Sequence, residues 1–316
     1  MEPIVPMEPK IASEIPTTEN WIAQVKWDGV HVLAYNDGSE TRLFNRKKRE
    51  RTFNYPELTD IQSFCSAESV ILDGEIIALG EDGKPSFHKV MRRDGIRKFD
   101  RVKSLQQQVP ISYMIFDVLF YNGEWMTKCP LEERLSLLTD IIVPNSHVQL
   151  VRSHDDGEAL FDTVVDNGME GIVMKRLDSR YYIGEKRDEW RKVKNIRDLI
   201  AVIGGFTLSG GIVNAVLIGL YDEKGNFIYI GHTGTGKLTA SDWRELTERL
   251  QSIQVEQTPF VNKVDRHKDA MWVKPSVTAK IHFAEWTEGR FLRQPSIQAF
   301  VDVPAEKCVL TEDMKR

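Results

Sequence analysis

Short stretches of alternating or continuous apolar residues dominate the first two thirds of the chain. They fall at 22–26, 31–35, 41–44, 70–79, 112–121 and 171–175. Most are rich in β-branched and aromatic residues and are bounded by Gly, Asn or Asp, which predicts strands. The period changes at 131–142, where Leu135, Leu138 and Ile142 recur at helical spacing. It changes again at 156–167, where Leu160, Val164 and Val165 do the same before Gly168. Past Asn195 the texture shifts to strands separated by Gly-rich turns, at 201–206, 215–221, 227–231 and 279–286, with one helix near 241–253. This pattern predicts an α+β domain over 1–197, joined near Arg197 to a small all-β barrel with one helix over 198–316.

Length and composition leave that picture intact. A chain of 316 residues has material for two cores. Cys65, Cys129 and Cys308 lie far apart without metal spacing, so neither disulfides nor zinc are expected. The start, Met1-Glu2-Pro3-Ile4-Val5-Pro6, lacks the basic and apolar regions of a signal peptide. No apolar run approaches the roughly 20 residues of a membrane span, so a cytoplasmic protein is expected. A net charge of −5 does not announce a polyanion binder. The basic residues are nevertheless clustered, at 46–51, from Arg92-Arg93 to Arg97-Lys98, and from Lys175 to Arg197. Each cluster alone reads as a solvated face; three together suggest a basic face for a polyanion.

The chemistry is carried by charged residues inside apolar strands. Lys26-Trp27-Asp28-Gly29 puts an amine and a carboxylate two residues apart at the predicted end of a strand, on one face, before a glycine that permits close backbone approach. Such an amine suits attack on a phosphate. Asp73 and Glu75 share a face of Ile71-Leu72-Asp73-Gly74-Glu75-Ile76. Glu170 opens Glu170-Gly171-Ile172-Val173-Met174-Lys175, and Lys192 and Lys194 share a face of Trp190-Arg191-Lys192-Val193-Lys194. Singly, these are polar edges of strands; together they read as one cleft for a metal and a triphosphate. Gly231-His232-Thr233-Gly234-Thr235-Gly236-Lys237 starts like a P-loop, but Leu238 stands where the Mg²⁺-binding hydroxyl belongs. It is read as a glycine turn between strand and helix.

In order, Lys-x-Asp-Gly, Asp-Gly-Glu, Phe-Asp, Glu-Gly-Ile-Val-x-Lys and Trp-x-Lys-x-Lys resemble the nucleotidyltransferase motifs of ATP-dependent DNA ligases, from about Trp21 to Lys194. Gly231 to Gly236, Trp272-Val273-Lys274-Pro275 and Phe283-Ala284-Glu285-Trp286-Thr287, with Arg290, Arg293 and Pro295, resemble the OB domain of the bacterial ligase-D family of end-joining ligases. The resemblance implies an adenylation domain with antiparallel sheets and flanking helices, followed by an OB-fold domain. It implies ATP and Mg²⁺ (or Mn²⁺) as cofactors, and nicked or broken duplex DNA as the substrate of a monomer, with a Ku-like end-binding protein as a candidate partner. Lys26 would be the nucleophile, and Lys192 and Lys194 contacts to the α-phosphate. Glu170 would be a metal-site acid, Glu75 a ribose contact and second metal-site acid, Phe116 the aromatic stacked on adenine, and Arg46 a phosphate contact.

Four departures from the family pattern stand out. His31 replaces an arginine, and Gln24 replaces the glutamate two residues before the lysine; Gln24 can still accept a hydrogen bond from the adenine amino group. Asn45-Arg46-Lys47-Lys48 replaces Ser-Arg-x-Gly, keeping the arginine while changing the turn. Ala299-Phe300-Val301-Asp302-Val303-Pro304 stands where a final Arg-x-Asp-Lys is usual, which weakens the expected first step. The alternatives are an RNA ligase or capping-type guanylyltransferase, which shares the catalytic motifs, and a catalytically weak nick-binding module.

Overall fold

The computed structural model describes residues 1–97, 101–195, 197–234, 236, 238–265, 269–287 and 289–311. The chain divides into two units, Met1–Asn195 and Ile196–Arg316.

The first unit runs β1 (Glu8–Ile11), β2 (Trp21–Val25), β3 (Val30–Asn36), β4 (Thr41–Asn45), β5 (Val70–Ile77), α1 (Phe87–Asp94), α2 (Val102–Gln108), β6 (Ser112–Tyr121), β7 (Glu124–Trp125), α3 (Leu131–Ile141), β8 (Val148–Leu150), α4 (Gly157–Asp166), β9 (Gly171–Arg176) and β10 (Lys186–Lys194). One sheet has the order β1-β10-β9-β2. The other has the order β4-β3-β5-β6-β7, with β8 paired to β6. All pairings are antiparallel except β1 with β10 and β6 with β8.

The near-continuous apolar runs of β3 and β5 follow from burial on both faces. Val32, Ala34 and Leu72 pack with Val90, Leu138 and Ile141 of the helical layer. Leu33, Tyr35 and Ile71 pack on the opposite face with Ile22, Tyr181 and Trp190, so the two sheets face one another across a shared core. Inside that layer lies a buried ion pair. Arg134 donates from Nε to Asp117 Oδ1 at 2.7 Å and from an Nη to Oδ2 at 2.9 Å, with both side chains fully inaccessible.

The predicted strands and the two predicted helices of this unit are present, with ends shifted by a few residues. One expectation is corrected. β2 ends at Val25, so 26–29 form the crossing from one sheet to the other, and Lys26 and Asp28 do not share a strand face. Lys26 keeps a single ladder bond, its N–H donating to Gly171 O at 2.9 Å. Close approach at Gly29 is borne out: a Cβ there would sit 2.2 Å from Ile76 O. Helices α1 and α2 have no counterpart in the pattern read above.

The second unit comprises β11 (Arg197–Ser209), β12 (Ile212–Tyr221), β13 (Phe227–Thr233), α5 (Ala240–Gln251), β14 (Gln254–Val255), β15 (Met271–Phe283), β16 (Glu285–Trp286), β17 (Leu292–Arg293) and β18 (Ser296–Val301). Its main sheet has the order β13-β12-β11-β15-β14, with β18 also on β15. Helix α5 carries a capping box between Thr239 and Asp242. Trp243, Leu246 and Leu250 of α5 join the barrel core. The P-loop-like stretch begins at the end of β13, before α5; its Thr235 and Lys237 lie outside the described residues, as does Lys98 of the second basic cluster. The stretch 299–304 begins inside β18, where Ala299 is buried and pairs with Lys280, and runs past the strand's end at Val301.

Candidate nucleotide-transfer site

Strand register builds the site. Beyond the end of β2, Lys26 lies level with Gly171 of β9, which pairs with Lys194 of β10. One pleat deeper the row is Gln24, Val173 and Lys192; deeper again it is Ile22, Lys175 and Trp190. Side chains two residues apart on a strand point the same way, so these rows form one face. Glu170 lies just before β9. Its buried carboxylate takes Lys26 Nζ at 2.8 Å on each oxygen, and Lys194 Nζ stands 3.7 Å from Oε1. Gly171 allows this crowding, because a Cβ there would meet Val193 O at 2.2 Å, and its φ of +150° suits glycine.

The six-stranded sheet supplies the facing wall. His31 of β3 pairs with Glu75 of β5, and Asp73 lies two residues away on the same face. His31 Nε2 bonds Asp73 Oδ1, and Tyr181 donates its hydroxyl to Asp73 Oδ2 at 2.6 Å. Burial lowers the His31 imidazole, but the Asp73 charge and hydrogen bond outweigh it, leaving the pKa raised. His31 therefore has a carboxylate partner inside the protein. Phe116 is the extra residue of a β-bulge in β6, between Ile115 opposite Gly74 and Asp117 opposite Asp73. Bulges re-aim side chains; here the Phe116 ring stands edge-on to His31 at 5.6 Å and to Trp190 at 6.2 Å.

Desolvation dominates the titration of the lining groups. It pushes the Glu75 carboxyl up to about 7, and the charges of His31 and Lys26 only partly oppose it. It brings Lys192 down to about 8, helped by repulsion from Lys194, Lys26 and Lys186. Lys192 thus loses its charge as pH rises through about 8. If it holds a polyphosphate, kcat/KM for nucleotide should fall with that titration. Lys192→Arg should keep the plateau to pH 9 or so, since guanidinium does not titrate there. Superimposable profiles from initial rates of covalent labelling would remove Lys192 from phosphate binding.

The structure thus brings Lys26, Glu170 and Lys194 into contact, with Gln24 and Lys192 on the same face and Glu75 and Phe116 opposite. Arg46 is separate. It lies on the exposed turn after β4, and its charge lowers the His31 imidazole. That turn is held by Asn45 Oδ1, which accepts from the N–H of Lys47 at 3.0 Å and of Arg49 at 3.1 Å. Lys48, where the family pattern has glycine, sits at φ +58° in the left-handed region that a glycine serves. Two lining residues have no role assigned to them from sequence. Lys175 is buried with Nζ 3.9 Å from the Trp190 ring centre and 4.3 Å from that of Phe116, and burial lowers its pKa to about 7. Tyr181 is the other. Lys175 closes a motif and shares the parity of Val173, a signal that could have placed it on the site face.

A lysine amine, acids and further cations gathered between two sheets, followed by an all-β barrel, define a nucleotidyltransferase domain with a C-terminal OB-fold domain. Residues 6–194 match the ATP dependent DNA ligase domain, and residues 209–302 the ATP dependent DNA ligase C terminal region. The chain belongs to the ATP-dependent DNA ligase family. It is 30% identical over 283 residues to the multifunctional non-homologous end joining DNA repair protein LigD of Mycobacterium tuberculosis, spanning 87% of this chain and 35% of that one. It is 29% identical over 247 residues to a DNA ligase of Thermococcus fumicolans, spanning 74% of this chain and 44% of that one. The chain thus spans less than half the length of these two relatives. The solved structure of mycobacterial DNA ligase D complexed with ATP and MES superposes with a TM-score of 0.74 at 26% identity, covering 98% of both chains.

Proposed function

We propose that this chain is a ligase core that seals 5′-phosphate/3′-hydroxyl nicks or breaks in duplex DNA, using ATP through a lysyl-AMP intermediate. The observation that carries this reading is the Lys26 amine, held by Glu170 beside Lys194 on the face that also bears Gln24 and Lys192. Lys26 Nζ attacks the α-phosphorus of ATP; the Nζ–P bond forms, the bond to the bridging oxygen breaks, and pyrophosphate leaves. A DNA 5′-phosphate oxygen then takes the adenylate from Lys26, and the 3′-hydroxyl displaces AMP to close the strand.

A free lysine is neutral in only about one molecule in 2,500 at pH 7, a handicap of roughly 4.6 kcal/mol. The Glu170 carboxylate takes the amine at 2.8 Å on each oxygen, which holds it in place. Lys192 and Lys194 add positive charge beside it and hold the α-phosphate. Glu75 accepts from the ribose. Phe116 stacks on the base. Glu170 and Glu75 also fit a divalent cation of the Mg²⁺ type, which takes one or two carboxylates together with substrate phosphates. No group of three His, Cys, Asp or Glu side chains that could form a cage is found among the described residues. Such a cation, when bound, neutralises charge on the transferring phosphate.

Incubation with α-labelled ATP and then with a nicked duplex carrying a 5′-phosphate tests the proposal: covalent AMP followed by a sealed strand supports it, and no adduct overturns it. DNA affinity should fall steeply with salt, each neutralised phosphate adding about −0.9 to the slope of log K against log salt. Replacing Arg46, Lys47 and Lys48 together should flatten that slope; an unchanged slope would move the DNA footprint off this turn. In the same reading the chain acts as a cytoplasmic monomer and accepts recruitment by a Ku-like end-binding protein. No helix among the described residues is long and apolar enough to cross a membrane.

A further inference from the structure

Gln24 lies one pleat deeper than Lys26 on the same edge of the sheet, and is 2% exposed. Same-face positions on a strand are spaced by about 7 Å, close to the distance from an α-phosphorus across a ribose to its base. A nucleotide whose phosphorus meets Lys26 and whose base points inward therefore brings the base edge to Gln24. The surroundings suit a flat aromatic ring: Ile77, Met114 and Val151 form an apolar cluster with Trp27 and Phe116 packed against it. Ser153, two residues after Val151, accepts from the Gln24 carboxamide, with Nε2 3.2 Å from Oγ.

A carboxamide presents an acceptor on one side and a donor on the other, and a serine hydroxyl both accepts and donates. Ser153 therefore supports either orientation. With Nε2 toward Ser153, Oε1 accepts from a 6-amino group. With the amide turned over, Ser153 donates to Oε1 and Nε2 donates to a 6-oxo group. A glutamate at this position could only accept.

We infer that the Gln24–Ser153 pair is an invertible reader of the purine 6-position, so that this chain also transfers 6-oxopurine nucleotides to Lys26. The inference rests on the proposed covalent mechanism and deepens it. The balance of the step is unchanged: the Nζ–P bond forms, the bond between the α-phosphorus and the bridging oxygen breaks, and pyrophosphate leaves.

The test compares initial rates of covalent labelling with α-labelled ATP and ITP, which differ at the 6-position without adding guanine's 2-amino group. In wild type the ATP:ITP ratio of kcat/KM should lie within about tenfold of one. In Gln24→Glu the ratio should rise at least another tenfold, because an oxo group would then face a buried acceptor with no donor. In Gln24→Met, which reads neither group, it should return toward one. A wild type that labels with ATP but prefers it over ITP by more than a hundredfold overturns the inference and leaves the ligase reading standing, whatever the variants do. A ratio unmoved by Gln24→Glu overturns it as well. A wild type that labels with neither nucleotide overturns both.

Discussion

Lys26→Ala should lower covalent nucleotide labelling by more than about 10³-fold, the scale of removing a nucleophile. The geometry leaves little room for a substitute. Lys194 also reaches Glu170, but at 3.7 Å against 2.8 Å for Lys26, and it stands across Gly171 on the far strand. Lys192 lies one pleat away. Lys26→Arg should be as inactive as alanine, although it keeps the charge beside Glu170, because a guanidinium is not a nucleophile at these pH values. The pair of variants therefore separates loss of charge from loss of the attacking nitrogen. Sealing of a chemically pre-adenylated nick bypasses the first step and should survive in part. Labelling is read from an acid-labile adduct on a denaturing gel. A full-yield adduct in Lys26→Ala would place the nucleophile elsewhere and end the argument for this site.

Most of the strands that frame the site could be read from the chain because their period is simple. β3 and β5 are buried on both faces, so they stand out as apolar runs, and Asp73 and Glu75 stand out within them. Lys192 and Lys194 follow from alternation in β10. Lys26 was harder. The tetrapeptide that marks it looks like a strand end, yet it is the crossing between two sheets; a strand that changes sheet leaves no signature in local alternation. Phe116 could be named from its motif, but its orientation depends on a bulge that only pairing with β5 reveals. Helices α1 and α2 leave no clear period for another reason. They are short, and in α1 the buried positions include Arg93, which reads as surface. In the fold its guanidinium donates to Val109 O at 3.0 Å and Asn54 O at 2.7 Å, and it pairs with Glu57 at 3.0 Å. A buried arginine with that many partners breaks the rule that charge marks the outside.

Asp117→Asn should destabilise the first unit by about 3–5 kcal/mol, since it leaves the fully buried Arg134 without its counter-ion. The remaining hydrogen-bond partners of Arg134 are two backbone carbonyls, Cys129 O at 2.6 Å and Ser179 O at 3.0 Å, and neither carries the missing charge. With an m-value of about 1–3 kcal/mol per molar urea, the unfolding midpoint should drop by more than about 1 M. The double variant Asp117→Asn with Arg134→Met should lose less than the single one, because removing both charges removes the need to solvate either. The lesion should reach the site as well. Asp117 follows the bulged Phe116, accepts from the N–H of Val118 at 2.8 Å, and is one of the two acids that oppose the lowering of Lys175. Loosening it should raise KM for ATP before it touches kcat, since the proposed role of Phe116 is on the base and that of Lys26 on the phosphorus. If the double variant instead loses the sum of its two single losses, with KM unchanged, the pair is two independent packing residues and the bulge is held by the β5 register alone.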